Sequence, residues 1–73
     1  MKLSLIETRG KFNAIHIREI TDDGGYHRRV LHSDDEIVED EHQAVKDKAT
    51  EVFTPEIKQA WLDHQEEQLN PTA

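Results

Sequence analysis

The sequence predicts an α+β fold, in which a three-stranded antiparallel meander is followed by two helices packed on one face of the sheet (β-β-β-α-α). Apolar residues alternate with polar ones over the first third of the chain and later recur at helical spacing. Glycine-containing turns separate the alternating runs, and Pro55 divides the helical part in two. A chain of 73 residues forms one small domain, which we place at residues 1–69, with a mobile tail at 70–73.

The first two strands are predicted from period-two alternation. Leu3 and Leu5 alternate with polar neighbours in the first run, and Ile15 and Ile17 do so in the second. Gly10 lies between the runs and can adopt the positive φ that a tight hairpin turn requires. These residues predict a hairpin.

The third strand is predicted over Tyr26–His32, which again alternates. An Asp-Gly-Gly sequence at 23–25 precedes it, and Asp-Gly is a strong hairpin signal. Three consecutive strands joined by short turns give an antiparallel meander.

The first helix follows a change of period. Ser33-Asp34-Asp35-Glu36 has the form of a capping box, so a helix can begin at Asp34, although Asp34 and Asp35 can equally lie in a loop. The helical pattern is firmest over residues 39–53. The residues at helical spacing are Val38, His42, Val45, Ala49, Val52 and Phe53.

The second helix is predicted to begin at Pro55, with Thr54 as its N-cap. Ile57 and Trp61 belong to its apolar face. Trp61 is expected to anchor this helix to the sheet; were it exposed, it would be an interface hot spot.

The predicted core draws on every element. Its members are Leu3, Leu5, Ile15, Ile17, Leu31, Val45, Ala49, Val52, Phe53, Ile57 and Trp61. The chain has no cysteine, which excludes disulfides and thiolate zinc sites. A domain of this size has marginal stability.

The charge of the chain is divided between its two parts. Residues 1–32 carry six Lys/Arg and four Asp/Glu, a net charge of +2. Residues 33–73 carry three lysines and twelve acids, a net charge of −9, which brings the chain to −7. This division favours a function in docking over one in chemistry.

The candidate partner-binding residues are an acidic block and two arginines. They are Asp34, Asp35, Glu36, Glu39, Asp40, Glu41, Arg28 and Arg29. The block can present a negative stripe to a basic groove, or it can be a solvated helix face that keeps the domain soluble. The arginines, which follow Tyr26, can pair with the protein's own acids, with a second copy or with phosphate; we favour self-pairing or a protein partner over nucleic acid.

Catalytic, cofactor and metal sites are not predicted. The serines and threonines lie in no recognisable nucleophile motif, and there is no Gly-rich phosphate loop. The five histidines lack the spacing of zinc ligands: His16 and His27 are expected to be solvated, and His42 and His64 to edge the core. No apolar run is long enough for a membrane span or a signal peptide.

Three short motifs carry a resemblance to a known group of proteins. They are Tyr26-His27-Arg28-Arg29-Val30-Leu31, Asp34-Asp35, and Phe53-Thr54-Pro55-Glu56-Ile57. Over residues 15–65 the chain resembles short proteins encoded by tailed phages, although it lacks the Pro-Gly expected between His32 and Asp34. The resemblance implies a phage-encoded accessory protein and assigns no catalytic residue.

The function expected from these features is that of a non-enzymatic acidic binding protein. It would act in the host cytoplasm by occupying a basic surface of a host or defence protein. The alternative is a small virion or assembly component that packs through its sheet edge or its Trp61 face. A third interpretation is a homo-oligomer in which Arg28 and Arg29 meet the acidic helix of a neighbouring copy.

Overall fold

A computed structural model describes residues 1–69, and the predicted tail at 70–73 lies outside the described residues. The elements are β1 (Lys2–Arg9), β2 (Ala14–Ile20), β3 (Tyr26–Leu31), α1 (Gln43–Val52) and α2 (Pro55–Leu69). The strands form an antiparallel sheet in the order β1-β2-β3. The predicted β-β-β-α-α class is therefore confirmed.

Both hairpin turns depend on glycine at a positive φ. Gly10 has a φ of 76° after β1, and Gly24 has a φ of 85° between β2 and β3. In the second turn the Thr21 N–H donates to the carbonyl oxygen of Gly25 at 2.9 Å. These short connections make β2 the central strand and leave β1 and β3 at the two edges.

A β-bulge in β1 overturns one of the predicted core positions. Leu3 pairs with Glu19 and Leu5 pairs with Arg18, so Ser4 is an extra residue in the ladder. Successive side chains of a strand point to opposite faces of the sheet. The extra residue shifts this alternation by one position, so that residues after Ser4 point to the face opposite to the predicted one. Leu5 is consequently 38% exposed, and Ile6 packs against the core instead.

The core lies between α1 and the inner face of the sheet. Ile15 and Ile17 of β2 are buried with Val45 and Ala49 of α1 and with Phe53 just after it. Partly buried apolar side chains surround them: Leu3, Ile6, Leu31, Ile37, Val52 and Ile57. The opposite side of the sheet carries the other half of the strand residues.

The first helix begins at Gln43, so the acidic block is not part of it. The Asp35 N–H donates to the His32 carbonyl at 3.0 Å, and the Glu41 N–H donates to the Val38 carbonyl at 3.2 Å. In a helix that began at Asp34, the Glu41 N–H would instead donate to the Ile37 carbonyl. The Ser33 Oγ, which would cap that helix, has no hydrogen-bond partner within residues 1–69. The capping box at Ser33 is therefore not formed.

The second helix begins as predicted. Pro55 is its first residue, and the Thr54 Oγ1 accepts a hydrogen bond from the Ile57 N–H at 3.3 Å. Trp61 is half-buried and lies outside the main core, which corrects its predicted place there. Its ring stacks on His32 at 4.2 Å and meets Phe12 edge-on at 5.4 Å, so it anchors α2 at one end of the sheet.

Candidate functional site

A partly buried ion network, centred on the buried Glu19, joins the central strand to the segment that precedes α1. Glu19 points to the same face as Ile15 and Ile17 and is 5% exposed. Its Oε1 accepts from Arg29 Nε at 2.9 Å, and its Oε2 accepts from His42 Nε2 at 2.7 Å. We call Glu19, Arg29, Glu41 and His42 the ion network.

Arg29 extends the network to the acidic block. Its Nη1 donates to Glu41 Oε2 at 2.9 Å, and its Nη2 donates to Glu41 Oε1 at 2.7 Å. Such a two-bond pairing of guanidinium and carboxylate is the strong form of this contact. The guanidinium therefore bridges two carboxylates that neighbour each other in space but lie 22 positions apart in the sequence.

The network stabilises its charged forms. The hydrogen bond from His42, followed by the bonds from Arg29 and His27, lowers the pKa of Glu19 to about 2 against the opposing effect of burial. The bond from Arg29 also lowers the pKa of Glu41, and the bond to Glu41 raises the pKa of Arg29. A carboxylate with a lowered pKa is a poor proton acceptor, which favours a structural role over acid–base catalysis.

The rest of the acidic block forms an exposed loop. We call residues 34–40 the acidic segment; it carries five carboxylates and neither lysine nor arginine. Its acidic members are all exposed: Asp34, Asp35, Glu36, Glu39 and Asp40. The predicted negative stripe along a helix is thus replaced by a loop.

Contacts at both ends of the acidic segment hold the loop in place. Asp34 Oδ1 accepts a hydrogen bond from Trp61 Nε1 at 2.6 Å, and Asp35 Oδ2 accepts from the His32 N–H at 2.6 Å. At the other end, Glu41 is fixed by Arg29. Within residues 1–69, Glu39 and Asp40 form no ion pair, so their charge faces solvent.

The two predicted arginines point to opposite faces of the sheet. Arg29 pairs with Ile17 across β2–β3 and faces the core, whereas Arg28 pairs with Arg18 and faces away. Neighbouring residues of a strand alternate in this way. The structure therefore brings Arg29 and Glu41 together and leaves Arg28 apart from the acidic segment.

His42 and His64 are partly buried and His27 is exposed, as expected, but the contacts of His42 and His27 with Glu19 were not predicted. His42 is the N-cap of α1, and its side chain joins the ion network. His27 Nδ1 lies 3.4 Å from Glu19 Oε1, so it belongs to the edge of the network although half of its side chain is exposed. His64 lies beside Phe12 and Trp61, with ring centroids 5.0 and 5.8 Å away.

The residue that the sequence reasoning missed is Glu19. The signal was present, because position 19 continues the inward alternation of Ile15 and Ile17. A carboxylate at an inward position requires a buried cationic partner, and the inward arginine of the facing strand is Arg29.

Comparisons with known proteins identify no relative of this chain. The chain matches no protein-family model, and no curated protein or solved structure is significantly similar to it. Across residues 1–69, no helix is both long and apolar enough to cross a bilayer. In the same part of the chain, no three His, Asp or Glu side chains are arranged to hold a metal ion.

Proposed function

We propose that this chain is a non-enzymatic, phage-encoded binding protein that occupies a basic surface of a host or defence protein in the host cytoplasm. The exposed acidic segment is the observation that carries the proposal. Five carboxylates within seven residues create a strong local negative potential, which attracts and orients a basic partner.

The fixed ends of the acidic segment support this proposal. Trp61 holds Asp34, and Arg29 holds Glu41, so the loop between them is ordered before a partner arrives. Pre-ordering reduces the entropy that is lost on binding. Arg29 and Glu41 thus position the docking surface, and the exposed carboxylates meet the partner.

Charge reversal of the acidic segment tests the proposal. The triple variant Glu36→Lys, Glu39→Lys and Asp40→Lys should capture at least about tenfold less partner from host lysate at low salt. Capture by the native chain should itself fall steeply as ionic strength rises.

The matched control changes the same number of charges elsewhere. Asp63, Glu66 and Glu67 are exposed on α2, and their replacement by lysine gives the same net charge. This control should retain most of the binding. Equal losses in the two triple variants would show that only the overall charge matters, and the acidic segment would then have no special role.

The alternative function is that of a small virion or assembly component. It is favoured by the two edge strands, since β1 and β3 each pair on one side only within residues 1–69. The Trp61 face supports it less, because the Trp61 ring already stacks on His32. An interface of this kind should persist at high salt and should tolerate the triple lysine variant of the acidic segment.

A further inference from the structure

The side of the sheet that faces away from α1 is uncovered within residues 1–69. We call this surface the open face. It is formed by alternate strand residues: Leu5, Glu7, Arg9, His16, Arg18, Ile20, Tyr26, Arg28 and Val30. Several of its apolar side chains are exposed, with Tyr26 at 65% and Val30 at 46%. A groove of about 240 Å³ crosses it.

The open face carries cations that the described residues do not neutralise. Arg18 and Arg28 are directly paired across β2 and β3, and like charges in such pairs destabilise a sheet. Neither arginine forms an ion pair with any of residues 1–69. The Arg18 Nε is buried there without a hydrogen-bond acceptor, so a partner's carboxylate has to approach this guanidinium through its terminal nitrogens. These features fit an anionic partner that supplies acceptors to both guanidinium groups.

The Arg18 guanidinium is held in an orientation that can receive a carboxylate. The Arg18 guanidinium carbon lies 5.0 Å from the centroid of the Tyr26 ring, so the group is held against the ring. Glu7 is the one carboxylate among the strand residues of this face, and it is paired with Arg9. A guanidinium that is already oriented binds a carboxylate in two-bond geometry at a reduced entropy cost.

The acidic segment of the same chain has the complementary chemistry. It presents five exposed carboxylates together with Val38, which is 50% exposed beside them. The open face presents arginines beside the exposed side chains of Leu5 and Val30. The two surfaces therefore carry opposite charges, and each also exposes apolar side chains.

One molecule cannot bring these two surfaces together. Ile37, within the acidic segment, packs against the core that covers the inner face of the sheet, whereas Arg18 and Arg28 point away from that core. The contact must therefore form between different molecules. Since each copy carries both surfaces, the contact repeats head to tail.

We propose that the open face binds the acidic segment of a second copy of this chain, so that copies associate head to tail through arginine–carboxylate pairs. The association does not depend on a foreign partner, but it covers the same segment that the proposed function uses. Three short strands offer a contact at the small end of protein interfaces. The association is therefore weak and sensitive to salt.

The experiment uses sedimentation velocity over a range of protein concentrations. The native chain should associate at about 20 mM NaCl, with an association constant at least about tenfold lower at about 300 mM. A face variant, Arg18→Gln with Arg28→Gln, and a segment variant, Glu36→Gln with Glu39→Gln and Asp40→Asn, should each be monomeric alone.

Mixing the two variants is the decisive step. The face variant keeps its acidic segment and the segment variant keeps its open face, so the mixture should form a one-to-one complex that does not grow further. Formation of that complex also shows that both variants fold. As a matched control, Asp63→Asn with Glu66→Gln and Glu67→Gln should associate like the native chain.

Four results would overturn the proposal. The first two are a native chain that stays monomeric at low salt and a face or segment variant that associates like the native chain. The third is a mixture of the two folded variants that forms no complex. The fourth is a native chain that binds a single-stranded oligonucleotide through Arg18 and Arg28 more tightly than it binds a second copy of itself. Far-UV circular dichroism of each variant establishes folding independently. If the native chain captures no partner from host lysate but still self-associates, the proposed function is refuted and this inference stands.

Discussion

Glu19 is a carboxylate on the apolar side of the central strand. Placing a charge there costs several kcal/mol unless partners replace the lost water. Arg29 and His42 donate to its two oxygens, and Arg29 is itself neutralised by Glu41. Glu19 thus helps to attach the end of the loop next to α1 to the sheet.

Replacing Glu19 with Gln tests this role. The amide keeps the size of the side chain but has no charge and only one acceptor oxygen, so it cannot accept hydrogen bonds from both Arg29 and His42 as the two carboxylate oxygens do. We expect the free energy of unfolding to fall by about 2 kcal/mol, as measured by urea denaturation at neutral pH. Glu51→Gln makes the same chemical change at an exposed position of α1 outside the ion network, and it serves as the near-neutral control.

Comparing the native chain with Glu19→Gln isolates the contribution of Glu19 to the pH dependence of stability. The pKa of Glu19 falls from 4.5 to about 2 on folding, so its stabilisation is present above pH 4.5 and is lost as the pH falls towards 2. The stability gap between the native chain and Glu19→Gln should therefore shrink over that window. A stability gap that stays constant with pH would contradict the conclusion that the charged Glu19 carboxylate stabilises the fold. If the variant does not fold, the ¹³C shift of the Glu19 carboxyl group in the native chain reports the same pKa.

At the scale of elements, the bulge at Ser4 decides which side of β1 faces the core. Strict alternation from Leu3 places Leu5 inside, but the extra residue turns Leu5 outward and Ile6 inward. A bulge leaves little trace in the sequence, since Leu5 and Ile6 are both apolar. The register follows from pairing with β2, which is a tertiary effect.

Alanine substitutions at these two neighbours check the register. Ile6→Ala should lower the free energy of unfolding by about 2 kcal/mol, because it removes methyl groups that pack against the core. Leu5→Ala should cost about 0.5 kcal/mol or less, since its side chain is exposed. The comparison is made by urea denaturation at high salt to suppress association. A larger effect at Leu5 would mean that the strand follows strict alternation after all.

The elements that the sequence predicted correctly are those governed by local signals. Pro55 and Thr54 start α2 because a fixed φ and a side-chain acceptor act within one turn. The capping pattern of Ser33 and Glu36 left the start of α1 open between a helix from Asp34 and a loop, and the structure has the loop, because distant contacts compete with the local pattern. Arg29 binds Glu41 and His42 reaches Glu19, and both contacts join residues remote in the sequence. The acidic segment was therefore predicted in composition but not in conformation.

At the scale of the whole molecule, negative and positive charges lie on different surfaces. The acidic segment and α2 carry unpaired carboxylates, whereas Arg18 and Arg28 lie on the open face. Only a few of the acids, such as Glu41 and Glu19, are neutralised by a guanidinium within the described residues. The net charge of −7 therefore acts mainly as repulsion within the acidic side.

This layout predicts that salt stabilises the monomer. Added NaCl screens the exposed carboxylates but acts less on the partly buried Arg29–Glu41 pair, so repulsion falls more than attraction does. From about 20 mM to about 500 mM NaCl, the free energy of unfolding should rise by on the order of 1 kcal/mol or less. Thermal or urea unfolding at low protein concentration measures this change in the free energy of unfolding without interference from association.

The variant Glu39→Lys with Asp40→Lys separates this effect from general salting-out. It removes two negative charges and adds two positive ones on the acidic segment, so repulsion is already relieved at low salt. Its stability should rise less with NaCl than that of the native chain, whereas an effect of salt on apolar burial would raise both equally. If the free energy of unfolding rose equally with NaCl in both proteins, the carboxylates would be too far apart to repel one another. The strong negative potential on which docking by the acidic segment depends would then be absent.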